Sequence, residues 1–146
     1  MKIFDELKED HKTQRSLANM VLRTEGKTDE RKSLFRQFKK ALQEHANAEE
    51  RHFYVPMMAH DQSQEKARHS VAEHHEIDEL IEKLEKTEMT SSAWLIYFKQ
   101  LRDLVFHHLD EEENEVFQVA GKVLTENQKT ELGTRYRNMM NEEQNN

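Results

Sequence analysis

The chain has no cysteine, a single proline and three glycines among its 146 residues. Without cysteine there are no disulfides, thiolate metal sites, iron–sulfur clusters or cysteine nucleophiles. So few glycines and prolines exclude a turn-rich β-sandwich or barrel, which needs a turn signal roughly every 8–12 residues. Neither GxGxxG nor GxxxxGK occurs, which removes the glycine loops that cradle nucleotide phosphates. No run approaches the roughly 18 consecutive apolar residues of a membrane span. The N-terminal MKIFDELKEDHK lacks an apolar signal-peptide core, so a cytoplasmic location is the expectation. With 22 Lys+Arg against 29 Asp+Glu the net charge is −7. Nucleic acid is therefore not an expected partner, because that binding needs a basic face. A protein partner is not specified by any motif.

What the chain does have is charge, helical periodicity and histidine. Charged residues make up 35%, hydrophobic residues 35%, and mean hydropathy is −1.05. Apolar residues recur at helical spacing nearly everywhere. A first helix is predicted over about 2–24, with Phe4, Leu7, His11, Ala18 and Val21 on one face. Gly26 stops it, and Thr28 with Asp29 and Glu30 caps a second over about 29–58. The stripe of that helix is Leu34, Phe38, Leu42, His45, Glu49 and His52, ending near Pro56. A third, about 62–87, carries His74, Ile77, Ile81 and Leu84. A fourth, about 91–121, carries Trp94, Phe98, Leu101, Val105, His108, Glu112 and Val119. A short fifth, about 126–140, opens with the Thr125–Gln128 spacing of a capping box and leaves a polar, frayed tail at 142–146. The expected fold is all-α: one domain over 1–146, an up-down-up-down four-helix bundle with a short C-terminal fifth helix.

Nine histidines are several more than such a chain usually carries, and their register is informative. Residues four apart stack on one helix face, so His45/Glu49 and His108/Glu112 each set an imidazole beside a carboxylate. Both pairs continue an apolar stripe, as do His11 and His74. All four bundle helices therefore deliver a histidine to the interior, and two add a glutamate. Burying these groups without partners costs several kcal/mol, which an interior metal site relieves. Six nitrogen and oxygen ligands are too many for one zinc. They suit two carboxylate-bridged ions, with iron or manganese favoured by the sulfur-free donor set and zinc also accepted.

The order His / His-x-x-x-Glu / His / His-x-x-x-Glu on successive helices resembles the hemerythrin-like (HHE cation-binding) family. Asp10-His11, HANAEERHFYVP at 45–56, EHHEIDELI at 73–81 and HLDEEENEVFQ at 108–118 carry the resemblance, which spans roughly residues 5–120. It implies a non-haem centre of two iron ions, oxo- or hydroxo-bridged, held by His11, His45, Glu49, His74, His108 and Glu112. It also implies binding or reduction of dioxygen, peroxide or nitric oxide. A non-catalytic iron storage, delivery or sensing protein is the alternative. Oxygen carriers of the family have a further histidine four residues before the third-helix ligand, where this chain has Ser70, and an Asp five residues after the fourth-helix histidine. The pattern is similar to the four-His, two-Glu branch, which points away from dedicated oxygen transport.

Other residues have competing readings. His107/Glu111 repeats the ligand spacing one residue back, toward the edge of its stripe. His52, seven residues after His45, is expected inward near the site mouth, as a buried imidazole or a partner of the ligands. Tyr54 falls on the far side of a straight helix, unless a distortion near Pro56 turns it inward as ligand or proton donor. His60, His69 and His75 are expected at the surface, and Glu50, Glu111 and Glu113 as solvated helix charges.

Overall fold

The structure is a computed structural model that describes residues 1–144; Asn145 and Asn146 lie outside the described residues. Five helical rods and no strand make up the described residues. They are α1 (Ile3–Leu22), α2 (29–58), α3 (Gln64–Glu85), α4 (92–123) and α5 (Glu126–Gln144). Local chemistry sets their ends. Gly26 takes the left-handed conformation at φ 52° after α1, where a side chain would be strained. The Thr28 hydroxyl accepts from the Arg31 amide at 3.1 Å, satisfying one orphan donor at the start of α2. Ser91 does the same for Ala93 in α4. Thr125 and Gln128 exchange the reciprocal bonds of a capping box, 2.8 and 3.1 Å. From there α5 runs on through Gln144, so residues 142–144, expected as frayed tail, are helical.

The rods α2 and α4 are not uniform. Each breaks its α-helical bonding for one five-residue π-helical turn, Glu50–Tyr54 in α2 and Glu112–Val116 in α4. The amides of Val55 and Phe117 reach back five residues to the Glu50 and Glu112 carbonyls. Each turn adds a residue, and the inward stripe beyond it slips by one position. Phe53, Tyr54 and Met57 face the core where the regular period pointed His52 inward, and Ala120 replaces Val119.

α1 packs along α2, α3 along α4, and α1 also against α4, while α5 covers α1 and one end of α2. Two apolar clusters fill the interior. One holds Ala18, Phe38, Ile81, Trp94 and Phe98, with the Trp94 and Phe98 rings stacked 5.4 Å apart. The other holds Leu7, Phe53, Tyr54, Phe117 and Tyr136, closed by α5. Between them lies a polar layer.

Candidate metal centre

The polar layer brings together His11, His45, Glu49, His74, His108 and Glu112, all buried. Glu49 and Glu112 lie between two imidazole pairs. His11 and His45 stand on one side with both carboxylates in reach, and His74 and His108 stand on the other with Glu49. The Glu49 Oε1 atom is 3.4 Å from His45 Nε2 and 3.3 Å from His74 Nε2. Glu112 reaches His11 Nε2 at 3.1 Å with Oε1 and His108 Nε2 at 3.5 Å with Oε2. Each carboxylate thus touches both sides.

The opposite edge of every ring is tied down. Nδ1 of His11 donates to Glu113 at 2.7 Å, of His74 to Glu50 at 2.9 Å, and of His108 to Glu73 at 2.9 Å. His45 Nδ1 donates to the Tyr136 hydroxyl at 2.5 Å, which donates in turn to Asp10. Committing Nδ1 outward turns every Nε2 toward the centre. The pattern repeats about a pseudo-twofold. The glutamate after each central glutamate, Glu50 after Glu49 and Glu113 after Glu112, holds the histidine of another helix. The acid before each single histidine, Asp10 or Glu73, serves His45 or His108. Tyr136 from α5 interposes only in the His45 link.

The electrostatics follow from this crowding. Burial would raise both carboxyls, and Glu112 does go up, pushed further by the adjacent Glu49 charge. Burial is outweighed at Glu49, where the His45 and His74 imidazoles pull the carboxyl below its usual range. The two carboxyls therefore part, Glu49 favouring its charged form and Glu112 its neutral one. Burial would lower His45, but Glu49 and Asp10 overcome it and hold the ring at about 9. Burial lowers His11, which leaves a neutral ring donating to Glu113. Burial would raise Glu113 as well, yet the His11 bond and the Arg15 guanidinium bring it to about 2.

These residues fit a pair of cations. His11 Nε2, His45 Nε2, both Glu49 oxygens and Glu112 Oε1 are buried with no hydrogen-bond partner. The Nε2 atoms of His74 and His108 face each other 3.1 Å apart, two lone pairs in one space unless a proton or cation intervenes. Donors on one ion with bonds of about 2.0–2.1 Å stand roughly 3.0–3.4 Å apart, close to what the site provides. Beside the centre is a cavity of about 10 Å³ lined by Gln14, His45, Ile77, Val105 and His108, among others. That is room for a guest on the order of one water. The buried Gln14 amide nitrogen on its wall has no partner.

Of the other expected residues, Tyr54 does turn inward and its hydroxyl donates to Glu112. The distortion near Pro56 that swings it round is the π turn at Glu50–Tyr54, and the rod continues through Pro56 to Met58. The same turn carries His52 out of the centre to a half-buried position on the rod's outer side. His107 and Glu111 stay outside the centre, paired at 3.1 Å. Glu50 and Glu113, expected in solvent, are the anchors of His74 and His11. Sequence reasoning missed Glu73, Gln14 and Tyr136. The Glu-Glu doublet that follows His45 and His108 at the same spacing was the available signal for Glu50 and Glu113.

Comparison with known proteins agrees with the geometry. The family model for the hemerythrin HHE cation binding domain matches residues 2–120. No match among curated proteins reaches significance. Among solved structures, the chain is similar to a hemerythrin HHE cation binding domain-containing protein from Mycobacterium kansasii, a homologue of Rv2633c. The TM-score is 0.90 at 20% identity, over 99% of this chain and 88% of that one. At that identity the likeness speaks for the fold alone.

Proposed function

Because the chain belongs to the hemerythrin HHE cation-binding family, we propose that it holds two iron ions and binds or reduces dioxygen, peroxide or nitric oxide there. The observation that carries this reading is the set of buried, unpartnered Nε2 and carboxylate atoms from four helices, facing one another beside a small cavity. His11 and His45 would hold one ion, His74 and His108 the other, and Glu49 and Glu112 would bridge. Manganese or zinc would be accepted by the same donors.

When bound, an iron pair supplies redox equivalents and coordination positions open to a small ligand, since six protein donors do not saturate two ions. The protein's own residues do the rest. The Nδ1 anchors fix ring orientation, so each ligand is presented without rotamer loss. Leu42, Ile77 and Val105 exclude bulk water from the cavity and limit it to guests of a few atoms. The unpartnered Gln14 amide offers a hydrogen bond to such a guest. Tyr54 holds a proton at Glu112 and stands beside His74, its ring 5.8 Å from the imidazole.

The test is spectroscopic. Protein expressed with iron and purified without chelator should retain about two irons per chain in the buried centre. Its oxidised form should show ligand-to-metal charge-transfer bands that azide, peroxide or nitric oxide perturbs. Two irons with a spectrum indifferent to all three would favour storage, delivery or sensing. No metal at all would refute the reading.

A further inference from the structure

The pair His107/Glu111 faces a second pair of the same spacing across the α3–α4 groove, His69/Glu73. His69 Nε2 lies 3.3 Å from Glu111 Oε1 and 3.6 Å from Glu73 Oε1, and His107 Nε2 lies 3.1 Å from Glu111 Oε2. The donor atoms of His69, Glu73 and Glu111 all fall within 4.8 Å of one another. We propose that these residues form a third, mononuclear cation site that takes a divalent first-row metal ion and feeds the buried centre.

Three observations carry it. First, two carboxylates converge here with imidazoles alone for partners; among the described residues no Lys or Arg lies within ion-pair reach of either. By contrast Glu113 has a guanidinium from Arg15, and Asp10, the counterpart of Glu73, has one from Arg137. Second, Glu73 is buried, with its side chain 7% exposed, so its charge needs compensation that water does not provide. Third, the separations match donors sharing one ion at about 2.0–2.2 Å. One imidazole nitrogen, from His69, with the carboxylate oxygens of Glu73 and Glu111 and no sulfur suits zinc, ferrous iron, cobalt or manganese, and His107 stands beside this set, held to Glu111 at 3.1 Å.

Position gives the site its role. His69 and His107 are more than half exposed, so an ion reaches them from solvent. Glu73 Oε1, which would face that ion, also accepts from His108 Nδ1 at 2.9 Å. One side chain therefore separates the surface site from a histidine of the buried centre. The loading role rests on the dinuclear reading above; the site itself does not.

The experiment is equilibrium dialysis of untagged, metal-free full-length protein against Co(II), with elemental analysis. The wild type should take up three ions per chain, His69→Ala/His107→Ala two, and His75→Ala three. The double variant should still fill its buried centre with Fe(II) to the same end point, about tenfold more slowly, because the exposed imidazoles that would first capture the ion and raise its local concentration are gone. Two ions in the wild type, or three in the double variant, would overturn the site. One ion in the wild type and none in the double variant would keep the site and overturn the dinuclear reading and the loading role. Equal Fe(II) filling rates would overturn the loading role alone.

Discussion

At the scale of single residues, the centre depends on groups that never touch its middle. A ligand imidazole works only if its other nitrogen is held, and here each hold comes from a different helix. Tyr136 is the most exacting of these, because it links His45 to Asp10 from the fifth rod. Tyr136→Phe removes that link while keeping the ring, and should weaken cation affinity about 10–100-fold. Competition against a chelator of known affinity measures it, and an unchanged affinity would remove Tyr136 from the account. Glu113 offers a test by pH. Its pKa of about 2 lies below the ordinary carboxyl value of 4.5, so its stabilisation is complete above that ordinary value. It fades as pH falls through the folded value. The difference in urea stability between wild type and Glu113→Gln should be constant from pH 7 to 5 and shrink toward pH 2–3. The six inward-facing imidazoles and carboxylates were legible in the sequence because each extends an apolar stripe. Their anchors were not, since Glu50 and Glu113 sit five residues past a histidine, which a regular helix turns aside.

At the scale of elements, the rods were legible to within a few residues, and the π turns were not. Periodicity assumes 3.6 residues per turn, so one inserted residue in α2 misplaced His52 and Tyr54, and one in α4 misplaced Val119. Caps, by contrast, are local chemistry: Thr28, Ser91 and the Thr125–Gln128 box can be read directly. How α5 docks was also hidden, since its contact is made by the absence of a side chain. A Cβ on Gly133 would sit 2.8 Å from the Ile3 amide nitrogen and 2.9 Å from the Lys2 carbonyl carbon. Gly133→Ala should therefore push α5 off α1 and cost about 1–3 kcal/mol. Gly121 in α4 has nothing within 4 Å of the same position. Gly121→Ala should stabilise by up to about 1 kcal/mol through helix propensity. Thermal melts of the two variants should move in opposite directions; a harmless Gly133→Ala would mean that α5 is loosely held.

At the scale of the whole molecule, the bundle is two apolar cores with a charged layer between them. Such a layer opposes folding unless something compensates its buried donors, and bound cations do so. At 100 times Kd a bound ion adds about 2.7 kcal/mol of stability. Removing metal by dialysis against chelator should then lower Tm by roughly 5–10 °C, and restoring it should recover the loss. A Tm indifferent to metal would mean that the layer is satisfied by its own protons. No helix among the described residues is long and apolar enough to cross a membrane, in keeping with the charge-rich sequence.

The most direct measurement is anomalous diffraction at the iron edge from crystals of the iron-loaded protein. Two peaks roughly 3.5–4 Å apart are expected in the buried polar layer, separate from any ion at the His69/Glu73/Glu111 surface site. One should lie against His11 and His45, the other against His74 and His108, with Glu49 and Glu112 spanning them. A single peak, or peaks lying only on the surface while the six side chains remain bonded to each other, would contradict the account.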